Sequence, residues 1–169
     1  MTYAIVYSSQ TGNTKMLAES LRAALPAEDC VYYGAPDAAA LAADRLYIGF
    51  WTDRGSCDTT TAAFFETLNA QEVFLFGTCG FGGSAVYFNQ ILERVRDKLP
   101  AGVRCVGSYL CPGKMPQSVR DRYVRIAEEE PEKRNQMQKM IFNFDCALSH
   151  PDAHDLQGLI DEVENCQKR

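Results

Sequence analysis

Ser9, Gln10, Thr11, Gly12, Asn13 and Thr14 form a run of hydroxyls, amides and one glycine between a short apolar strand, Tyr3-Ala4-Ile5-Val6-Tyr7, and an amphipathic helix. A strand-to-helix turn of this composition is suited to hold phosphate. The helix N-terminus offers backbone N–H groups with no intrahelical partner and a partial positive charge. Ser9, Thr11 and Thr14 add hydroxyl donors around a dianion, Ser8 and Gln10 stand beside them, and Gly12 lets the backbone wrap closely. The run does not end in Gly-Lys-Ser/Thr, so it lacks the lysine and metal-binding hydroxyl of a nucleoside-triphosphate loop. An uncharged cradle for a phosphate monoester remains. The competing reading, a polar turn that merely caps the helix, accounts less well for so many hydroxyls in so short a run.

The elements that must position this turn alternate between apolar runs and stretches of helical period. The first helix carries Leu17, Leu21, Ala24 and Leu25 on one side. Residues 30–33 make a second strand, followed by an Ala-rich helix opened by Pro36 and Asp37. Residues 45–50 and 73–77 are the third and fourth strands, separated by a helix with Phe64, Phe65 and Leu68. A helix with Phe88, Ile91, Leu92, Val95 and Leu99 precedes a fifth strand at residues 103–110, and a final helix with Leu156, Leu159, Ile160 and Val163 starts at His150-Pro151-Asp152. This order predicts one α/β domain over residues 1–169, with five parallel strands covered on both faces. Residues 117–148 exceed what a crossover needs. Val119, Tyr123 and Ile126 mark one extra helix there, and Met137, Met140, Ile141, Phe144 and Leu148 a second.

Composition bounds the setting. With 169 residues and 46% apolar content, the chain can bury a sizeable core. Its net charge of −5 argues against nucleic acid as the main partner and permits steering toward a basic protein patch. Seven cysteines without C-x-x-C or zinc spacing read as reduced thiols, and no metal site is expected. No basic leader precedes the first strand and no stretch has the length of a membrane span, so the expected location is the cytoplasm, with no membrane partner.

Ligands of open parallel sheets sit beyond the carboxyl ends of the strands, where strand order reverses. That rule makes neighbours of residues 8–14, 51–58 and 78–84. The second loop leads with Trp51, the chain's one tryptophan, and continues Thr52-Asp53-Arg54-Gly55-Ser56; the third holds Thr78, Cys79, Gly80 and Phe81, with Tyr87 a turn later as a core or rim residue. Aromatic loops flanking a phosphate seat describe a site for a flat ring on a phosphorylated tail, and flavin mononucleotide (FMN) meets that description. Cys57 and Cys79 would lie near the ring, but without a base or cation beside them they carry no thiol mechanism.

The turn at residues 9–14 resembles the flavodoxin signature, and the element order across nearly the whole chain is similar to the flavodoxin fold. More narrowly, Ile48 to Asp58, Phe76-Gly77-Thr78, Leu110 to Lys114 and His150-Pro151-Asp152 resemble a clostridial and gut-anaerobe branch that includes the flavodoxin-like partner of bilirubin reductase. The resemblance implies a doubly wound sheet of order 2-1-3-4-5, bound FMN, and electron delivery to a partner enzyme. It also implies a small peptide that turns toward the flavin N5. The corresponding stretch here is Asp53-Arg54-Gly55, so the turning peptide is either Arg54–Gly55 or absent. Arg54, a fixed cation beside the ring, is expected to favour the reduced anion and raise its potential.

Two rivals compete. Gly80 to Ala85 formally satisfies G-x-G-x-x-A, but the acid that should follow at the end of the next strand is missing between residues 103 and 111. A flavoenzyme oxidising NAD(P)H stays open. A phosphoacceptor receiver domain would use Asp53, Thr78 and Lys114, yet it needs metal-binding acids after the first strand, where this chain has Ser8 and Ser9. The favoured reading is an FMN-binding electron carrier in which no side chain acts as acid or base. Ser8 to Thr14 hold the phosphate, Trp51 and Phe81 frame the ring, and the backbones of residues 52–55 and 78–80 bond its polar edge. Lys114 is expected first as a solvated turn lysine, with the flavin edge or a partner as the alternatives, and residues 117–148 are either a docking face or decoration of the fold.

Overall fold

The computed structural model of the chain describes residues 1–168. Period-two alternation decides how the sheet divides its core. In β3 (Arg45–Asp53), Leu46, Ile48 and Phe50 face one layer and Tyr47 the other. β1 (Tyr3–Tyr7) splits Ala4 and Val6 from Tyr3 and Ile5, and β5 (Glu72–Cys79) splits Val73 and Leu75 from Phe74 and Phe76. With β2 (Cys30–Gly34) and β6 (Arg104–Pro112), these strands run parallel in the order β2-β1-β3-β5-β6. Tyr3 pairs with Arg45, Arg45 with Glu72 and Glu72 with Arg104, so the carboxyl ends of the central strands emerge along one edge. This is the expected doubly wound sheet.

Helices close both faces. α1 (Asn13–Ala24) and α6 (Ala153–Gln167) bring Leu17, Leu21, Leu159 and Val163 to one layer. α2 (Thr59–Phe65) and α3 (Ala85–Arg96) bring Phe64, Phe65, Ile91 and Val95 to the other. Leu25, Leu68 and Leu99 fall just past the helices expected to carry them. α6 begins with a capping box: Asp152 accepts from the Asp155 N–H at 2.9 Å, Asp155 accepts from the Asp152 N–H at 2.8 Å, and His150 Nδ1 lies 2.6 Å from Asp155 Oδ2. These carboxylates are occupied in starting the helix.

Two sequence expectations need correction. The Ala-rich segment is a 3₁₀ turn, Ala38–Ala42, capped by Asp37, because only Ala40 is buried in it and no apolar stripe holds a longer helix. Trp51, Thr52 and Asp53 are not loop residues but extend β3. Arg54 and Gly55 both have positive φ, 50° and 78°, the signature of a two-residue hairpin turn, which folds β4 (Ser56–Cys57) back onto Thr52 and Asp53.

The extra residues form α4 (Gln117–Glu129) and α5 (Arg134–Ala147), which pack on each other, burying Tyr123, Met137, Phe144 and Ala147. Arg120 bonds Asp145 at 2.8 Å and holds that carboxyl below its ordinary pKa. Among the described residues, no helix is long and apolar enough to cross a membrane.

Candidate cofactor site

The end of the site expected to take phosphate is built by backbone. Ser8 extends β1 by donating to the Gly49 carbonyl at 3.0 Å, and the chain then turns through Gly12, whose φ of 88° is left-handed and favours glycine. Gly12 is the N-cap of α1 and supplies no side-chain cap, so the N–H groups of Asn13 and Thr14 stay open for an anion. Ser9 Oγ accepts from the Lys15 N–H at 3.3 Å. Thr14 is 1% exposed, and its hydroxyl donates inward to the Phe50 carbonyl at 3.0 Å, 3.3 Å from Thr78 Oγ1. Its free contribution toward an anion is the backbone N–H.

Asn13 joins this end to the strand after it. Its Nδ2 donates to the Lys114 carbonyl at 2.8 Å, while its buried Oδ1 has no partner among the described residues. Gly113 makes the approach possible, since a Cβ there would lie 2.6 Å from Asn13 Nδ2. A buried acceptor without a donor is costly. A ligand hydroxyl would satisfy it.

From here a cleft of about 570 Å³ runs along the sheet edge. Of the residues expected in the site, Gln10, Thr11, Asn13, Trp51, Thr52, Arg54, Gly55, Thr78, Cys79, Gly80 and Phe81 line it; Ser8, Ser9, Gly12, Thr14 and Asp53 do not. Thr52 Oγ1 donates to the Thr78 carbonyl at 2.8 Å, locking the hairpin to β5. Phe81 stands edge-on to Tyr87, with centroids 6.0 Å apart. Cys79 Sγ donates to the Phe81 carbonyl at 3.0 Å, and burial pushes the Cys79 and Cys57 thiols up, so neither is a ready nucleophile.

Sequence reasoning missed three supports. Arg94 of α3 lines the cleft and donates to the Gly55 carbonyl at 3.2 Å. Met115 packs against Gly80. Asn143 of α5 clamps the third loop from both sides, donating to the Gly80 carbonyl and accepting from the Gly82 N–H, each at 2.9 Å. That clamp, with Ser84 capping α3 through the Tyr87 N–H at 3.2 Å, leaves Gly80 to Ala85 without an open dinucleotide seat. Hydrogen bonds 39 and 63 residues apart along the chain leave no local signal.

The charges are one-sided. Arg54, Arg94 and Lys114 are the formal charges lining the cleft, and no carboxylate among the described residues does so. Asp58 is buried as the cap of α2, accepting from the Thr61 N–H and hydroxyl at 3.1 and 2.8 Å. The net charge pointed to basic partners; the mouth of the cleft has the opposite sign.

A parallel sheet with an open helix N-terminus and an aromatic slot at its carboxyl edge defines a nucleotide-binding doubly wound protein. Residues 4–164 match the flavodoxin domain model, and the chain belongs to the flavodoxin family. It is 38% identical to the flavodoxin-like domain-containing protein BilS of Clostridium symbiosum, across 92% of this chain and 90% of that one. Among solved structures it is similar to a Lactobacillus acidophilus flavoprotein in complex with FMN (14% identity, TM-score 0.52, 65% of this chain and 93% of the other). It is likewise similar to two-electron reduced Megasphaera elsdenii flavodoxin (24% identity, TM-score 0.51, 69% and 90%). These structural likenesses are of fold.

Proposed function

We propose that the protein is a cytoplasmic electron carrier that holds FMN and delivers electrons to a partner reductase. One observation carries this reading: a single cleft joins the N-terminus of α1, where the Asn13 and Thr14 N–H groups are open, to a slot beside Trp51 and Phe81. The Lactobacillus acidophilus neighbour described with FMN supports the same cofactor. When bound, the flavin supplies the redox chemistry.

The chain's own residues bind and orient. The backbone at residues 12–14, with Thr11 and Gln10, receives the phosphate. The Asn13 Oδ1 takes a hydroxyl of the tail. Trp51 and Phe81 cover the ring and limit water, and the backbones of residues 52–55 and 78–80 meet its polar edge. Arg54 stabilises negative charge on the ring. Residues 117–148 are an insertion in one flavodoxin-like domain, with Asn143 reaching from it to the ring end.

The test is reconstitution with excess FMN followed by gel filtration. Flavin absorbance should co-elute with protein, and colourless protein overturns the reading. The bands should bleach with dithionite and persist with NADPH alone. Bleaching by NADPH would make the protein an oxidoreductase instead of a carrier.

A further inference from the structure

We infer that the mouth of the cleft, a basic rim of Arg54, Arg94 and Lys114 beside exposed Phe81 and Phe142, is a docking face for an acidic redox protein. The inference rests on the carrier reading above and adds the sign and chemistry of the partner.

The rim does not follow from composition. Acids outnumber Lys and Arg by 22 to 17, yet the cleft is lined by three cations and by no carboxylate among the described residues. None of the three makes an ion pair among the described residues: the Arg94 guanidinium bonds the Gly55 carbonyl, and Arg54 and Lys114 are exposed. Asp53 lies beside Arg54 but outside the lining, and Asp58 is buried under α2. Nor does a phosphate at the N-terminus of α1 call for Arg54 and Arg94, which come from the hairpin and from α3; of the three cations only Lys114 adjoins that terminus, through its carbonyl on Asn13. Unpaired cations around a redox slot, on a chain of net charge −5, select a partner of opposite local sign.

The second observation is apolar. Phe142 is 71% exposed, Val86 70% and Phe81 46%. Phe81 lines the cleft, and the next residues, Gly82 and Gly83, share a groove of about 290 Å³ with Phe142. Aromatic and arginine side chains together are the composition of an interface core. A protein with carboxylates around an apolar contact would neutralise the rim, cover the aromatics and bring its own redox centre to the ring edge.

The experiment uses FMN-loaded protein, fully reduced with dithionite, mixed in stopped flow with two one-electron acceptors of opposite charge: acidic plastocyanin and basic cytochrome c. Two acceptors are reduced per doubly reduced protein, each copper or haem iron gaining one electron, and the ring protons pass to water. Between about 10 and about 300 mM salt, the plastocyanin rate should fall roughly tenfold while the cytochrome c rate stays level or rises. The double variant Arg54→Asn with Lys114→Gln should lower the plastocyanin rate at low salt by about tenfold. Phe142→Ser should slow plastocyanin about threefold at high salt, where charge steering is screened. FMN affinity is measured for each variant, and rates are compared on the flavin-loaded fraction.

A plastocyanin rate that rises with salt while that of cytochrome c falls overturns the inference. So does loss of the salt dependence on addition of NADP⁺ at micromolar levels, which would assign the rim to a dinucleotide. Protein that never takes up FMN fails earlier, at reconstitution, and overturns the carrier reading instead.

Discussion

The two ends of the cleft are built in different ways. The end proposed to take the phosphate is one continuous segment, residues 8–14, in which a glycine turn and a helix start place backbone donors. The ring end is assembled from separate pieces: the β3–β4 hairpin, the loop after β5, the segment after β6, Arg94 from α3 and Asn143 from α5. Binding strength is expected to concentrate at the first end, and tuning and selectivity at the second.

The largest effect tests the first end. Gly12→Val places a β-branched residue at a φ of 88°, where a left-handed conformation costs about 1–2 kcal/mol. FMN should bind about tenfold more weakly, while riboflavin, which lacks the phosphate, should lose little by fluorescence titration. Equal losses for both would place the phosphate elsewhere.

Asn143→Ala probes the second end and should reverse that pattern. Removing the clamp leaves the Gly80 carbonyl and the Gly82 N–H without it, a loss of about 1 kcal/mol, so FMN and riboflavin should both weaken about fivefold. Asn143→Asp, which can still accept from Gly82, should recover part of the affinity and of the wild-type flavin spectrum. If both variants bind and absorb as wild type, the clamp does not set the ring end.

Arg54→Asn removes the cation from a residue with a φ of 50°, a conformation asparagine tolerates. The two-electron potential should fall, by up to about 20 mV for an exposed charge. A potential that holds or rises in a redox titration would refute the role given to Arg54.

The smallest effect concerns the link between the ends. His150, just before α6, accepts the Lys114 N–H at 2.8 Å, and Lys114 in turn accepts from Asn13. Asp152, the cap of that helix, is held below its ordinary pKa first by the Asp155 N–H. A depressed carboxyl stabilises the fold above its ordinary range and loses that contribution as pH falls through the lowered value. Asp152→Asn should therefore lower the urea midpoint at pH 7, with the difference closing as pH falls below the ordinary carboxylate range. A gap that widens in acid would contradict this.

The same contrast explains what could be read from the sequence. The strands announce themselves through alternation, as in Leu46, Tyr47, Ile48, and residues 9–14 through local chemistry. The hairpin was hidden because its turn is Arg54-Gly55, whereas hairpin turns of this kind are usually signalled by Asn-Gly or Asp-Gly. The helix expected after residue 36 failed for want of side chains large enough to bury. Arg94, Met115 and Asn143 became site residues only through folding, each reaching a backbone group or glycine far along the chain.

Phe142 and Asn143 are consecutive on α5, one turned out to solvent and the other gripping the loop that borders the ring. The two hydrogen bonds of the asparagine thus tie the position of this helix, and with it the exposed phenylalanine, to the backbone at Gly80 and Gly82.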